Sequence, residues 1–271
     1  MIALFNNQVT NDHICSAFND RALQFGDGLF ETIKVKNGEV RLLNYHLRRL
    51  ASGAKALGIK IPDYINDGEL TKNILDLMRQ NKIEKDANVK LMVWRGNDKQ
   101  RAYASQDDHA QSLLLTRVSN GTTLKNYCSF SEEVRLHYWK LSQFKTLSAL
   151  PYVVAARERD QRGLDELILL NVKKQVTECV ASNIFWVKDK SFFTPSLTTG
   201  CIAGVMRSFL LDFFIKRKIA VYEVEAEEEE LLEADTVFTT NSQGIQLINT
   251  IDRTTFNRID YFNKILNISM V

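Results

Sequence analysis

The sequence predicts an α+β fold in two parts, and three observations carry that prediction. Amphipathic helical stretches alternate with β-prone runs through the first half. A cluster of turn formers, Ser119-Asn120-Gly121-Thr122-Thr123, interrupts the periodic segments near the middle of the 271 residues. Beyond it the chain is richer in short strands. The length suits two domains or one large one.

In the first half, residues 29–35 and 40–43 are β-prone runs joined at Lys36-Asn37-Gly38-Glu39, and Asn-Gly is a strong hairpin signal. Asn44 is the expected N-cap of a helix from Tyr45 to about Leu57, closed by Gly58. Leu47, Leu50, Ala54 and Leu57 make its apolar stripe, with His46 and Arg49 on a neighbouring face. Leu70, Ile74, Leu77 and Met78 mark a second amphipathic helix, and residues 89–94 and 113–118 read as strands.

In the second half, residues 150–162 form a predicted helix stopped by Gly163. Strands follow at 166–171, 176–180 and 183–187, then a turn at Asp189-Lys190 and a strand at 191–194. Residues 204–216 are a predicted helix with Val205, Phe209, Leu210 and Phe213 inward. The four glutamates at 227–230 read as a solvated first helical turn favoured by the helix dipole. Strands at 236–240 and 245–251 flank Asn241-Ser242-Gln243-Gly244.

Composition narrows the function classes. A hydrophobic content of 45% and a charged content of 25% are ordinary for a soluble globular protein. A formal charge of +2 gives no reason to expect a nucleic acid or a membrane surface as partner. The first residues, Met-Ile-Ala-Leu-Phe-Asn-Asn-Gln, carry no basic region or sustained apolar run, so no signal peptide is expected and the location expected is the cytoplasm. Cys15, Cys128, Cys179 and Cys201 lack a Cys-x-x-Cys spacing and are expected to be reduced thiols. They and the scattered His13, His46, His109 and His137 have no zinc-site spacing, and no metal is expected.

Two residues carry the candidate chemistry. Lys145 can form an imine with an aldehyde, and Leu141, Phe144, Leu147 and Leu150 are apolar neighbours able to desolvate its amine. Glu178 lies in the apolar run Val176-Thr-Glu-Cys-Val180, where a buried carboxylate requires a cationic or hydrogen-bonding partner. A protonated pyridine nitrogen would serve, so the pair suits pyridoxal 5′-phosphate (PLP) used as an electron sink. Thr199-Gly200-Cys201-Ile202-Ala203-Gly204-Val205-Met206 reads as a helix start able to hold a phosphate, with Gly204 allowing close backbone approach. Ser242 could add a hydroxyl. Arg49 is open to two readings, a phosphate cation or a solvent-facing ion pair. Arg95 and Arg101 are equally open to a substrate-binding role or a solvated loop.

Taken in order, these segments resemble a known family. Arg21-Ala-Leu-Gln-Phe-Gly-Asp-Gly-Leu-Phe-Glu-Thr-Ile, His46-Leu-Arg-Arg-Leu50, Lys145-Thr-Leu, Thr177-Glu-Cys-Val-Ala-Ser-Asn-Ile-Phe and Gly204-Val-Met-Arg207 are similar to the blocks of fold-type IV, class IV aminotransferases. A weaker sixth block is Thr239-Thr-Asn-Ser242. The group includes branched-chain aminotransferases, D-amino acid aminotransferases and 4-amino-4-deoxychorismate lyases.

The resemblance implies a smaller N-terminal α+β domain at 1–118, an interdomain loop at 119–124 and a larger C-terminal PLP-binding pseudo-barrel domain at 125–271, as in D-amino acid aminotransferase. It implies a homodimer acting on a small-molecule substrate. Lys145 would form the imine with PLP and Glu178 would pair with the pyridine nitrogen. Arg49, Asn183, Gly204, the backbone N–H groups of Val205 and Met206, and Ser242 would complete the cofactor site. Many relatives carry threonine where Met206 stands, so a hydroxyl contact is expected to be missing. Phe30, Arg95 and Arg101 would bind substrate, although Ala102 departs from the glycine of the lyase pattern. Lys145-Thr-Leu-Ser-Ala-Leu and Phe30-Glu-Thr look like the aminodeoxychorismate lyases. The implied activity is therefore conversion of 4-amino-4-deoxychorismate to 4-aminobenzoate, a folate precursor, and pyruvate. The alternative is an aminotransferase acting on branched-chain or D-amino acids with 2-oxoglutarate.

Overall fold

The computed structural model describes residues 1–10, 20–96, 103–105, 107–119, 125–257 and 260–266. The chain forms two compact units. The first comprises residues 1–120 together with Phe144–Ser148; the second comprises Gly121–Gln143 and Ala149–Val271. The predicted break at 119–124 lies, apart from Ser119, outside the described residues.

The first unit contains β1 (Ala3–Phe5), β2 (Gln8–Thr10), α1 (Arg21–Phe25), β3 (Gly28–Lys36), β4 (Glu39–Val40), α2 (Leu43–Leu57), α3 (Asp67–Gln80), β5 (Ala87–Arg95) and β6 (Ala110–Val118). Its six strands form an antiparallel sheet in the order β2-β1-β6-β5-β3-β4. The expected hairpin is present: Asn37 (φ 52°) and Gly38 (φ 79°) both take the left-handed conformation that a two-residue turn requires.

Strand alternation sorts this sheet into two faces. Leu29, Ile33 and Val35 from β3, with Ala87, Val89, Leu91 and Val93 from β5, form one core with Leu50 and Ala54 of α2 and Leu70, Ile74, Leu77 and Met78 of α3. Phe30, Thr32 and Lys34 point to the opposite, half-buried face. Helix α2 begins two residues earlier than expected, because the chain turns at Leu42 in a left-handed conformation (φ 51°). Asn44 is therefore inside the first turn. Its side chain accepts from Tyr45 N–H, and it is not the N-cap. The inward stripe also differs: His46 and Gly53 are buried, whereas Leu47 and Leu57 are only half-buried.

The second unit contains β7 (Lys125–Leu136), α4 (Leu150–Gln161), β8 (Glu166–Asn171), β9 (Val176–Cys179), β10 (Asn183–Lys188), β11 (Ser191–Pro195) and a 3-10 turn at Leu197–Thr199. There follow α5 (Val205–Lys216), β12 (Val221–Val224), α6 (Glu228–Leu232), β13 (Thr236–Asn241), β14 (Gly244–Ile251), β15 (Thr254–Thr255) and α7 (Asp260–Ile265). Its mixed sheet runs β12-β11-β10-β13-β14-β7-β8-β9, with β15 beside β14.

That sheet curls until its ends meet. Val176 N–H at the start of β9 donates to Ala226 O (2.8 Å), just beyond β12, and Gln175 bridges Glu227. The result is a pseudo-barrel in which β8 and β9 are buried on both sides, all six residues of β8 and all four of β9 being buried. In α5 the side facing the core is Val205, Met206, Arg207, Leu210 and Phe214. Phe209 and Phe213, expected inward, are half-buried. Phe214 instead stacks on Phe192 at 4.3 Å.

Strand β7 contains an irregularity between Phe130 and Arg135 that the residue pattern does not announce. Glu158 of α4 fills it. Its buried carboxylate accepts from Ser131 Oγ (2.6 Å) and from the backbone N–H groups of Glu132 (2.8 Å) and Glu133 (3.2 Å). Arg162 donates to it from one turn later (2.8 Å). Glu158→Ala should therefore cost on the order of 2–4 kcal/mol, because two backbone amides, a buried hydroxyl and a cation lose their acceptor. Urea denaturation monitored by circular dichroism measures this; a loss below about 0.5 kcal/mol would show that the bulge holds without its acid.

Candidate active site

Glu178 lies on β9, 3% exposed, on the side of the sheet that α4 covers. Its donors include three from separate parts of the second unit. Tyr152 Oη from α4 donates to Oε1 (2.6 Å), while Ile202 N–H (3.1 Å) and Asn183 Nδ2 (3.4 Å) donate to Oε2. Burial, and then the Glu178 charge, push the Tyr152 hydroxyl far above the usual phenol range, so it stays a proton donor to the carboxylate. The same two causes raise the Cys201 thiol to about 12. Cys128, Cys179 and Cys201 are all buried and free; Cys15 lies outside the described residues. The acid is thus charge-stabilised inside an apolar shell, as the sequence required of it.

Asn183, on β10, links this acid to the start of α5. Its Nδ2 also donates to Ile202 O (2.8 Å), and its Oδ1 lies where a Cβ on Gly204 would come within 1.9 Å. What approaches Gly204 so closely is therefore the Asn183 amide, and only glycine leaves room for it. Val205 and Met206 open α5 with their side chains buried, and the N-cap, Gly204, has no side chain with which to cap the helix. Thr240, paired with Asn183 across β10 and β13, has a buried hydroxyl with no hydrogen-bond partner among the described residues. Ser242 lies half-buried in the β13–β14 turn, and its hydroxyl is likewise uncommitted among the described residues. Thr240 is a candidate that the sequence reading passed over, although it lies inside the quoted Thr239-Thr-Asn-Ser242 segment.

Lys145 belongs to the first unit. Its segment adds to β3: Phe30 N–H donates to Lys145 O (2.9 Å), Leu147 N–H donates to Gly28 O (2.9 Å), and Thr146 bridges Leu29. The amine lies 4.5 Å from the centre of the Phe30 ring. The expected contribution of Leu150 is absent, because that side chain is 70% exposed at the start of α4. Phe30 supplies the aromatic contact instead.

Arg49 is one half of a buried ion pair. Its Nε donates to Glu31 Oε1 (2.8 Å) and an Nη donates to Oε2 (2.5 Å), while His46 Nδ1 donates to the same carboxylate (2.6 Å). Of the two readings open in the sequence, the ion pair is the one seen, and it is buried rather than facing solvent. Burial alone would push the Glu31 carboxyl up. The Arg49 charge and the hydrogen bonds from His46 and Arg49 outweigh it and hold the group below its usual range. Glu31 had a legible signal, since alternation places it on the core face between Leu29 and Ile33, where a charge demands a partner.

Arg95 is bound on four sides: to Asp27 (2.9 Å), to Leu57 O (2.5 Å) and Gly58 O (2.9 Å) at the end of α2, and to Asp107 O (3.0 Å). Asp27 also takes Arg21 (2.8 Å). In this structure Arg95 closes a helix C-terminus and joins a loop to the sheet. Arg101 lies outside the described residues.

Each unit holds groups that suit part of a phosphorylated pyridine aldehyde. A buried, hydrogen-bonded carboxylate suits a pyridinium, and an uncapped helix N-terminus near an orphaned hydroxyl suits a phosphate. A lysine on an aromatic ring suits the aldehyde. The folds of the two units define an α+β enzyme whose second unit is a pseudo-barrel. The chain belongs to the class IV aminotransferase family, whose description, "Amino-transferase class IV", matches residues 28–251. It is accordingly a PLP-dependent enzyme.

Among its relatives is an aminodeoxychorismate lyase of Vibrio harveyi, 30% identical over 253 residues and covering 89% of each chain. A D-alanine aminotransferase of Listeria monocytogenes is 30% identical over 273 residues, covering 96% of this chain and 88% of the relative. The solved structure of 4-amino-4-deoxychorismate lyase from Pseudomonas aeruginosa superposes with a TM-score of 0.83 at 28% identity, covering 97% of this chain and 96% of that one.

Glu31→Gln should destabilise the protein by about 3 kcal/mol at pH 7, because Arg49 loses the charge that balances it. A carboxylate held below its unfolded pKa contributes stability above that value and loses it as pH falls through the folded one. The gap between variant and parent should therefore narrow as pH drops below the usual 4.5. Urea titrations at a series of pH values test this, and a gap that is constant with pH would refute it.

Proposed function

We propose that the chain is a PLP-dependent lyase that converts 4-amino-4-deoxychorismate to 4-aminobenzoate and pyruvate. The observation that carries this reading is the pairing of two segments. Lys145-Thr-Leu and Phe30-Glu-Thr, the two stretches that look like lyases, are hydrogen-bonded to each other through Phe30 N–H and Lys145 O. The lyase-like residues thus form one local wall around the amine. The lyase relatives at 28% and 30% identity support the same reading.

PLP, when bound, supplies an aldehyde for the substrate amine and a ring that accepts the electron pair left by a departing proton. Lys145 would hold PLP through its Nζ, and the same Nζ would take the proton from the amine-bearing ring carbon of the substrate. The bond from ring carbon to enolpyruvyl oxygen then breaks, the ring becomes aromatic, and the enol takes up a proton to leave as pyruvate. Glu178, hydrogen-bonded by Tyr152, Asn183 and Ile202, would hold a proton on the pyridine nitrogen. The amides of Val205 and Met206, with the Ser242 and Thr240 hydroxyls, would hold the phosphate. Arg49 adds positive charge from its pair with Glu31. The enzyme works as a cytoplasmic homodimer on this small molecule and contributes to folate synthesis.

The D-alanine aminotransferase relative supports a second reading, transfer of an amino group to 2-oxoglutarate. Direct assay separates the two. Aminodeoxychorismate should release 4-aminobenzoate, and amino acids with 2-oxoglutarate should give no appreciable glutamate; the reverse result would replace the lyase with the aminotransferase. Lys145→Ala should abolish turnover in a folded protein. Glu178→Gln should lower kcat on the order of a hundredfold, since an amide cannot balance a pyridinium. Unchanged kinetics in either variant would remove that residue from the mechanism.

A further inference from the structure

The donors that the second unit brings to Glu178 are not equivalent. Ile202 donates through its backbone N–H (3.1 Å), which is present whatever side chain stands there, proline excepted. Asn183 Nδ2 stands at 3.4 Å and also donates to Ile202 O at 2.8 Å, so it serves mainly the chain before α5. Tyr152 Oη lies at 2.6 Å, the shortest of the three and the length of an O–H donor on a charged oxygen. Tyr152 stands in the first turn of α4, packed on the apolar cluster of Val134, Leu136, Leu167 and Leu169. Leu169 is opposite Glu178 in the β8–β9 register, so the packing that anchors the ring also aims the hydroxyl.

Two roles are open to such a phenol. It could hand its proton to the carboxylate. A phenol is a far weaker acid than a carboxylic acid, however, and burial and the Glu178 charge raise this one further. It therefore keeps its proton and acts as a fixed donor, and a donor on a carboxylate lowers that carboxylate's affinity for a proton. Opposite a pyridine nitrogen this is decisive, because two bases share one proton and the weaker base gives it up. One charge-assisted hydrogen bond changes such an affinity about tenfold to a hundredfold. We propose that Tyr152 is a positioning residue for that proton: its hydrogen bond keeps Glu178 ionised and the proton on the pyridine nitrogen of PLP. This rests on the reading of Glu178 as the partner of that nitrogen.

Tyr152→Phe keeps the ring in its cluster and removes only the hydroxyl. The probe is holoenzyme loaded with PLP that carries a heavy nitrogen isotope in its ring, whose NMR signal reports protonation of that nitrogen directly. Wild type should show a protonated nitrogen. In Tyr152→Phe the signal should move towards the unprotonated position, with PLP retention through dialysis and the circular dichroism spectrum unchanged. kcat should fall about tenfold while KM stays within about twofold. In the Glu178→Gln background the same substitution should change kcat by less than about twofold, since no carboxylate is left to tune. An unchanged nitrogen signal in Tyr152→Phe would overturn the proposal. So would a tenfold loss that persists in Glu178→Gln, the result expected of a tyrosine that only packs or that touches the cofactor itself. Failure of the reading beneath it has a different signature, namely a nitrogen signal that Glu178→Gln leaves where it stands in wild type.

Discussion

A carboxylate removed from water must be surrounded by donors, and Glu178 organises much of the second unit by that requirement. To satisfy it, α4 must present Tyr152, β10 must present Asn183, and the chain before α5 must present a backbone amide. Asn183 then needs Gly204, since any larger residue would collide with its amide. The uncapped beginning of α5 is thus fixed relative to the acid by a chain of contacts, each with a stereochemical reason. The groups suited to a pyridinium and to a phosphate share one scaffold.

The first unit repeats the theme with a different acid. Glu31 sits among aliphatic side chains and is balanced by Arg49 and His46 from the helix that covers the sheet. This pair ties α2 to β3, the strand that also carries the Lys145 segment. Electrostatic pairing here does structural work first, and any charge Arg49 offers to a ligand comes from a guanidinium already aligned by its partner.

Much of this was legible in the residues because it obeyed local rules. Asn37-Gly38 could be read as a hairpin, and Leu70, Ile74, Leu77 and Met78 as a buried helical stripe, since turn chemistry and periodicity decide both. Lys145 and Glu178 stood out by chemical type within apolar runs. Other features depended on distant partners. Residues 125–136 contain Ser-Glu-Glu in mid-strand, which breaks alternation; only Glu158, on a helix later in the chain, makes that stretch part of a strand. Phe214 displaced Phe213 from the core because Phe192 stacks on it. Arg95 looked free because the carbonyls at the end of α2 that engage it are separated from it in sequence.

Phe144–Ser148 is encoded within the later stretch of the chain yet completes the earlier unit, hydrogen-bonded along Gly28 and Phe30. The gene therefore cannot be divided at residue 120 into two chemically meaningful halves. A fragment ending there would have a bare strand where the Lys145 segment belongs, and its complement would carry an amine with no ring beneath it. Any recombination of modules between relatives would have to move β3 and this pentapeptide as one inherited piece.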